Sequence, residues 1–318
     1  MIWSGHFRIA LLLGATAAIL SACTSLPGRN QVEVQVGQQS VHVQRAEPYA
    51  ALYLPYAMMS ALAYAPRDRL TADLCPDLSA LDPQSDAMAV TWLHSLNGRK
   101  WRCLFGVSGQ LPCPRHYPDC RRVFGLELQV WRRTTPACEV AIAIRGANVF
   151  DPTDWPTLRW LFFGNHEEIS SQVEGILARS VCRGGKTRIV AVGHSLGGGI
   201  AEQAAYASSR IRYVYGFNQF PAIGVVDLDP NVHARNKVGL GIDRAAEAGG
   251  ILALPRLLLE TPATSCNPRI RVVQFHLAPF ALPIDKHKID LLTINMLDIA
   301  QQANPRSVMA YRAAAVCH

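Results

Sequence analysis

The sequence has no apolar run long enough to cross a bilayer as a helix: the one near its start, Ile9 to Leu20, covers twelve residues. Its nine cysteines include no C-x-x-C pair, so the closely spaced ligands of a zinc site are missing, and neither a metal nor a cofactor is expected. The formal net charge is +7, yet no nucleic-acid-binding motif accompanies it, which argues against nucleic acid as a partner.

What is present begins with a leader. Residues 1–22 carry Arg8, the apolar run and then small residues, the layout of an export signal. Leu20-Ser-Ala-Cys23 resembles a bacterial lipobox, in which Cys23 is lipidated and becomes the first mature residue; an ordinary cleaved signal with an incidental cysteine is the alternative. Thr24 and Ser25 follow, with no Asp, which by analogy with bacterial lipoproteins favours the outer membrane, facing the periplasm. Losing Arg8 with the leader takes the charge from +7 to +6 and leaves 296 of the 318 residues, enough for one large domain. Arg115, Arg121, Arg122, Arg132 and Arg133 read as solvated arginines, or as contacts to anionic lipid beside a tether. Residues 23–47 are expected to be a flexible tether with at most one short edge strand, and residues 48–318 the folded domain.

Without Cys23, eight cysteines remain: Cys75, Cys103, Cys113, Cys120, Cys138, Cys182, Cys266 and Cys317. An even number in an exported chain reads as disulfides, of unassigned connectivity. Residues 66–122 are dense in Pro, Cys, Trp and Arg and match no regular βα unit, so they are expected to form a disulfide-rich insertion.

The stretch that carries chemistry is Arg188-Ile-Val-Ala-Val-Gly-His-Ser-Leu-Gly-Gly-Gly-Ile-Ala-Glu202. Ile189 to Val192 has the composition of a buried strand, Gly193-His-Ser-Leu-Gly197 fits G-x-S-x-G, and Ile200 onward reads as helix. A serine on a sharp strand-to-helix turn is lifted above the sheet, and the helix amino end offers free N–H groups to an oxyanion. This points to Ser195 as a nucleophile, with Leu196 N–H as one oxyanion donor.

The same stretch resembles the nucleophile turn of the class 3 lipases, a branch of the α/β-hydrolases. Val140-Ala-Ile-Ala-Ile-Arg-Gly-Ala147 is similar to the family's strand ending in Phe-Arg-Gly-Thr or -Ser, Asp154-Trp155 to its Asp-Trp, and Tyr53 to Tyr64 to its opening helix. The resemblance spans roughly residues 50–220. It implies an α/β-hydrolase-like, doubly wound, mostly parallel sheet and a second oxyanion donor at Ala147, where the family usually carries a hydroxyl residue.

Downstream, Ile211–Phe217, Val238–Glu247 and Arg269–His276 read as further strands, and Ile289–Ala300 as a helix. Chain order in this fold places an acid after a later strand and a histidine after the last one. His233 comes too early, His276 lies within a strand, and His318 is the last residue. His287, in the loop after the final strand, is therefore the expected base. Glu247, near a strand end, is the expected acid, with Asp227, Asp243 and Asp285 open; a carboxylate oxygen should lie within hydrogen-bond reach of His287. These readings describe a serine hydrolase cleaving carboxylic esters, a lipase or esterase tethered to the membrane by its lipid anchor. A phospholipase or thioesterase with the same site, or a catalytically silent hydrolase fold serving as an envelope scaffold, is the alternative. The oligomeric state is open.

Overall fold

The computed structural model describes residues 31–37, 39–108, 127–146, 166–182, 186–221, 238–252, 269–278 and 280–301. In chain order the elements are β1 (Gln31–Val36), β2 (His42–Arg45), α1 (Ala46–Leu62), α2 (Ala87–Gly98), β3 (Arg102–Ser108), β4 (Glu127–Arg133) and β5 (Glu139–Ile144). Then come α3 (His166–Ser180), β6 (Arg188–His194), α4 (Leu196–Ala207), β7 (Tyr213–Phe217), β8 (Gly241–Glu247), β9 (Ile270–Phe275), α5 (Pro283–His287) and α6 (Ile289–Ala300).

The nine strands make one sheet in the order β2-β1-β9-β8-β7-β6-β5-β4-β3. Strands β5 to β9 are mutually parallel, whereas β4 and β3 on one side and β1 and β2 on the other run antiparallel. The architecture is thus α/β with a mixed, largely parallel sheet. Parallel strands are covered on both faces and read as continuous apolar runs; every residue of β5 and β8 is buried.

Two hydrophobic layers flank the sheet. Tyr53, Met58, Leu96, Val192, Phe217, Phe275 and Met296 belong to the layer of α1, α2 and α6. Val173, Ile176, Leu177, Ile189, Ala191, Ile200 and Tyr206 belong to that of α3 and α4. Helix α1 is apolar almost all round because it lies between the sheet and α6. Cys75 is bonded to Cys103 and Cys138 to Cys182; the other four cysteines of the expected domain lie outside the described residues. Each bridge closes a loop of several tens of residues and contributes about 2–4 kcal/mol.

Three expectations are corrected. Residues 31–36 and 42–45 form two strands, where a tether with at most one short edge strand was expected, and the alternating Val32-Glu-Val-Gln-Val36 is internal to the sheet, burying Val32 and Val34 between β2 and β9. The stretch 66–122 contains regular elements: Trp92, Leu93 and Leu96 give α2 an apolar face, and β3 pairs with β4. Arg133 is not a solvated arginine, because Glu139 pairs with it at the entrance to β5.

Candidate active site

Ser195 lies between β6 and α4 at φ 53° and ψ −124°, a left-handed conformation that costs a non-glycine residue of the order of 1–3 kcal/mol. Its neighbours make that turn possible. A Cβ at Gly193 would stand 2.2 Å from the carbonyl oxygen of Gly197, and one at Gly197 would stand 2.3 Å from that of Ile144. Two glycines let the backbone fold onto itself and onto the end of β5. The turn is held by the Ser195 N–H donating to Phe217 O at 3.0 Å and by Phe220 N–H donating to Ser195 O at 2.9 Å. Leu196 opens α4; the N–H groups of Gly198 and Gly199 donate to Ser195 O at 3.1 and 3.4 Å, while the N–H of Leu196, at the first helical position, has no carbonyl four residues back within the helix.

His287 ends α5, and its Nε2 lies 3.0 Å from Ser195 Oγ. Ser195 and His287 come from opposite ends of a 92-residue separation, yet both are buried. The main chain of His287 is clamped from two directions. His194 Nε2–H donates to the His287 carbonyl at 2.7 Å, and Asn218 Nδ2 donates to the carbonyls of Lys286 and His287 at 3.0 and 3.2 Å. With Nε2 as donor, His194 Nδ1 accepts from the Tyr64 hydroxyl at 2.9 Å. Burial first, and the neighbouring His287 second, push the His194 pKa down to about 3. His194 therefore stays neutral and does not oppose positive charge on His287.

Glu247 ends β8 and is buried. Its backbone N–H donates to Asn218 Oδ1 at 3.0 Å, so one asparagine side chain bridges the main chains of Glu247 and His287. The carboxylate Oε1 accepts from Ala278 N–H at 2.8 Å rather than from His287, and Oε2 has no hydrogen-bond partner among the described residues. The hydrogen bond expected between Glu247 and His287 is therefore replaced by one to the chain leaving β9. Burial raises the carboxyl pKa to about 7, against the opposing pull of the Ala278 amide and of Lys286.

Of the other acids, Asp243 is taken up by Arg271 at 2.8 and 2.5 Å, and Asp285 pairs with Lys288 at 2.8 Å. Asp227 lies outside the described residues, as do Ala147, Asp154, Trp155, His233, His318 and Cys23. His276 faces Glu33 across β1 at 3.5 Å. Among the described residues no cluster of His, Cys, Asp and Glu could hold a metal ion.

His194, Tyr64 and Asn218 were not singled out as site residues. Only His194 had a signal, as the variable residue of G-x-S-x-G, but its partners lie 93 and 130 residues away. Arg244 is buried and forks onto Glu202 at 2.7 and 3.2 Å, while Gln219 donates to the same carboxylate at 2.7 Å. That pair ties α4, and with it the Ser195 turn, to β8.

No family model matches the chain, and no curated protein does. Among solved structures it is similar to one described as M37 lipase, with a TM-score of 0.35 and 15% identity over 64% of this chain and 68% of that one. It is also similar to one described as AbyA5 wild type, with a TM-score of 0.32 and 15% identity over 74% and 79% of the two chains. The chemistry is read from this chain's own side chains.

Proposed function

We propose that this protein is a serine hydrolase of the α/β-hydrolase type that cleaves carboxylic esters. The observation that carries the reading is the 3.0 Å approach of His287 Nε2 to Ser195 Oγ, made by a serine in left-handed backbone at the strand-to-helix turn. In this reading Ser195 Oγ attacks the ester carbonyl carbon while its proton passes to His287 Nε2. The tetrahedral oxyanion receives the N–H of Leu196 and, by the class 3 lipase resemblance, that of Ala147. Collapse breaks the bond to the alcohol, which leaves with the proton from His287, and water then releases the acyl group by the same steps in reverse order. Glu247 is the acid that stabilises the imidazolium; its buried carboxylate, the Oε2 that has no hydrogen-bond partner among the described residues and the Asn218 bridge to His287 support that role.

The same proposal includes export and lipidation at Cys23, supported by the leader sequence and in keeping with the two disulfides. A second reading, a silent scaffold on a hydrolase fold, is favoured by one observation, the engagement of Glu247 with Ala278 instead of His287. Labelling with a fluorophosphonate separates the two. The hydrolase labels at Ser195 and loses the label in Ser195→Ala, whereas an unlabelled, folded protein would establish the scaffold.

A further inference from the structure

The pairing of β1 fixes where the chain enters the fold. Val32 lies opposite Phe275, the last residue of β9, and β1 runs antiparallel to it. Gln31 is thus at the carboxyl edge of the parallel strands, the edge that holds Ser195 after β6, Asn218 after β7 and Glu247 at the end of β8. Between Cys23 and Gln31 there are seven residues. At full extension the eight Cα steps from Cys23 to Gln31 span roughly 29 Å, so whatever holds Cys23 lies within that reach of this edge.

The same rim carries conspicuous apolar exposure. Phe280 is 99% exposed and Leu282 65%, both on the segment that leaves β9 and runs into α5, whose last residue is His287. Ile251, 48% exposed, follows β8, and its N–H donates to Pro283 O at 3.2 Å, which brings it beside Leu282. Single exposed apolar residues need no explanation, but three large ones gathered next to the site do.

We propose that the carboxyl edge of the sheet docks on a lipid bilayer, with Phe280, Leu282 and Ile251 entering its surface and Ser195 presented to esters carried in that bilayer. This rests on the lipid anchoring and hydrolase readings above. The occupant is a membrane because the chain that leads from Cys23 enters the fold at the same edge that carries the apolar tips. The lipid on Cys23 holds the chain at the bilayer, and the inserted side chains, weak by themselves, set its orientation there.

The test uses the full chain and its Cys23→Ala form, each with and without Phe280→Ser plus Leu282→Ser, on vesicles of phosphatidylcholine with phosphatidylglycerol. Flotation of the Cys23→Ala form is expected to fall by about tenfold or more when both tips are changed. The acylated double variant should remain on vesicles but lose most hydrolysis of a vesicle-borne ester, while hydrolysis of soluble p-nitrophenyl butyrate stays within about twofold, since neither residue contacts the reacting atoms. Equal flotation with and without the tips would overturn the docking surface, as would an unmodified Cys23 in the intact mass of the full chain. A dimer that the double variant dissociates would assign the face to a second copy and likewise overturn it. Absence of fluorophosphonate labelling in every form sinks the hydrolase reading alone, because flotation still decides the orientation.

Discussion

The two ends of the parallel strands are built from similar residues to opposite purpose. At the amino ends the charges are matched. Glu139 accepts from Tyr56 at 2.6 Å and pairs with Arg133, Arg188 donates to Tyr215 at 3.0 Å, and Arg271 forks onto Asp243 while also donating to Tyr213 at 3.1 Å. At the carboxyl ends the groups are held but incompletely satisfied. Ser195 is in left-handed backbone, and Glu247 keeps one oxygen without a described partner. Satisfied networks fix a fold, whereas strained and under-satisfied groups cluster where chemistry is done.

The largest effect expected at the carboxyl edge is that of Ser195→Ala. Ester hydrolysis should fall by about 10⁶-fold, as it does when a triad nucleophile is removed, with thermal unfolding shifted little. Retained turnover in the purified variant would move the chemistry off this turn.

Glu247→Gln separates the acid's two contributions. As the group that stabilises the His287 imidazolium, its neutralisation should lower kcat by about 10⁴-fold. Stability should change in the other direction. The folded carboxyl has a pKa of about 7 against 4.5 in the unfolded chain, so the native state holds the proton more tightly between those values. Unfolding free energy therefore falls as pH rises from 4.5 to 7, by up to about 3 kcal/mol, and is flat above. Glutamine does not titrate, so urea unfolding at pH 5 and pH 8 should show this pH dependence weakened in the variant. An unchanged difference between the two pH values would mean that Glu247 is not the buried carboxyl described.

At the amino edge the expectation reverses. Arg271→Met leaves Asp243 buried without its cation and should cost about 3–5 kcal/mol of stability. Hydrolysis per folded molecule should change little, because Asp243 and Arg271 lie level with Val192, short of the carboxyl edge, on strands β8 and β9 rather than at the Ser195 turn. A large loss of kcat at full foldedness would show the two edges to be coupled.

How far these edges could be read from the sequence follows the same division. The Ser195 turn was legible because its requirements are local: an apolar strand, two glycines and a helix within fifteen residues. The helix 289–300 matched its expected bounds, since Ile289, Leu292, Met296 and Ile299 repeat at helical spacing and are buried. Within residues 23–47 at most one short edge strand was expected and two strands are found: β1 lies between β2 and β9, and the four exposed residues of β2 show their identity only through their pairing with β1. The mostly parallel sheet was legible, but which strands form its antiparallel margins was not, as that depends on which edge the chain returns to. Hydrogen bonds such as Tyr64 to His194, Asn218 to His287 or Arg244 to Glu202 join residues that no spacing rule connects.

The smallest expected effect is the most informative about how the site is assembled. His194 touches no reacting atom in the proposed mechanism; it acts by holding the carbonyl of His287 at 2.7 Å and is itself held by Tyr64. In His194→Phe a ring remains between Tyr64 and His287, but the hydrogen bond is gone, and Asn218 alone restrains the carbonyl. Displacing a catalytic imidazole by a fraction of an ångström to one ångström costs up to about 10²-fold, so kcat should fall by about ten- to a hundredfold with KM nearly unchanged. The pH profile distinguishes positioning from titration. Because His194 is neutral above a pKa of about 3, its removal should lower the whole profile without moving the acid limb. Tyr64→Phe should reproduce the effect in weaker form, since it removes only the outer hydrogen bond. If His194→Phe shifted the acid limb instead, the residue would be taking part in the proton transfer, and the division between a satisfied amino edge and a reactive carboxyl edge would have to include it among the reactive groups.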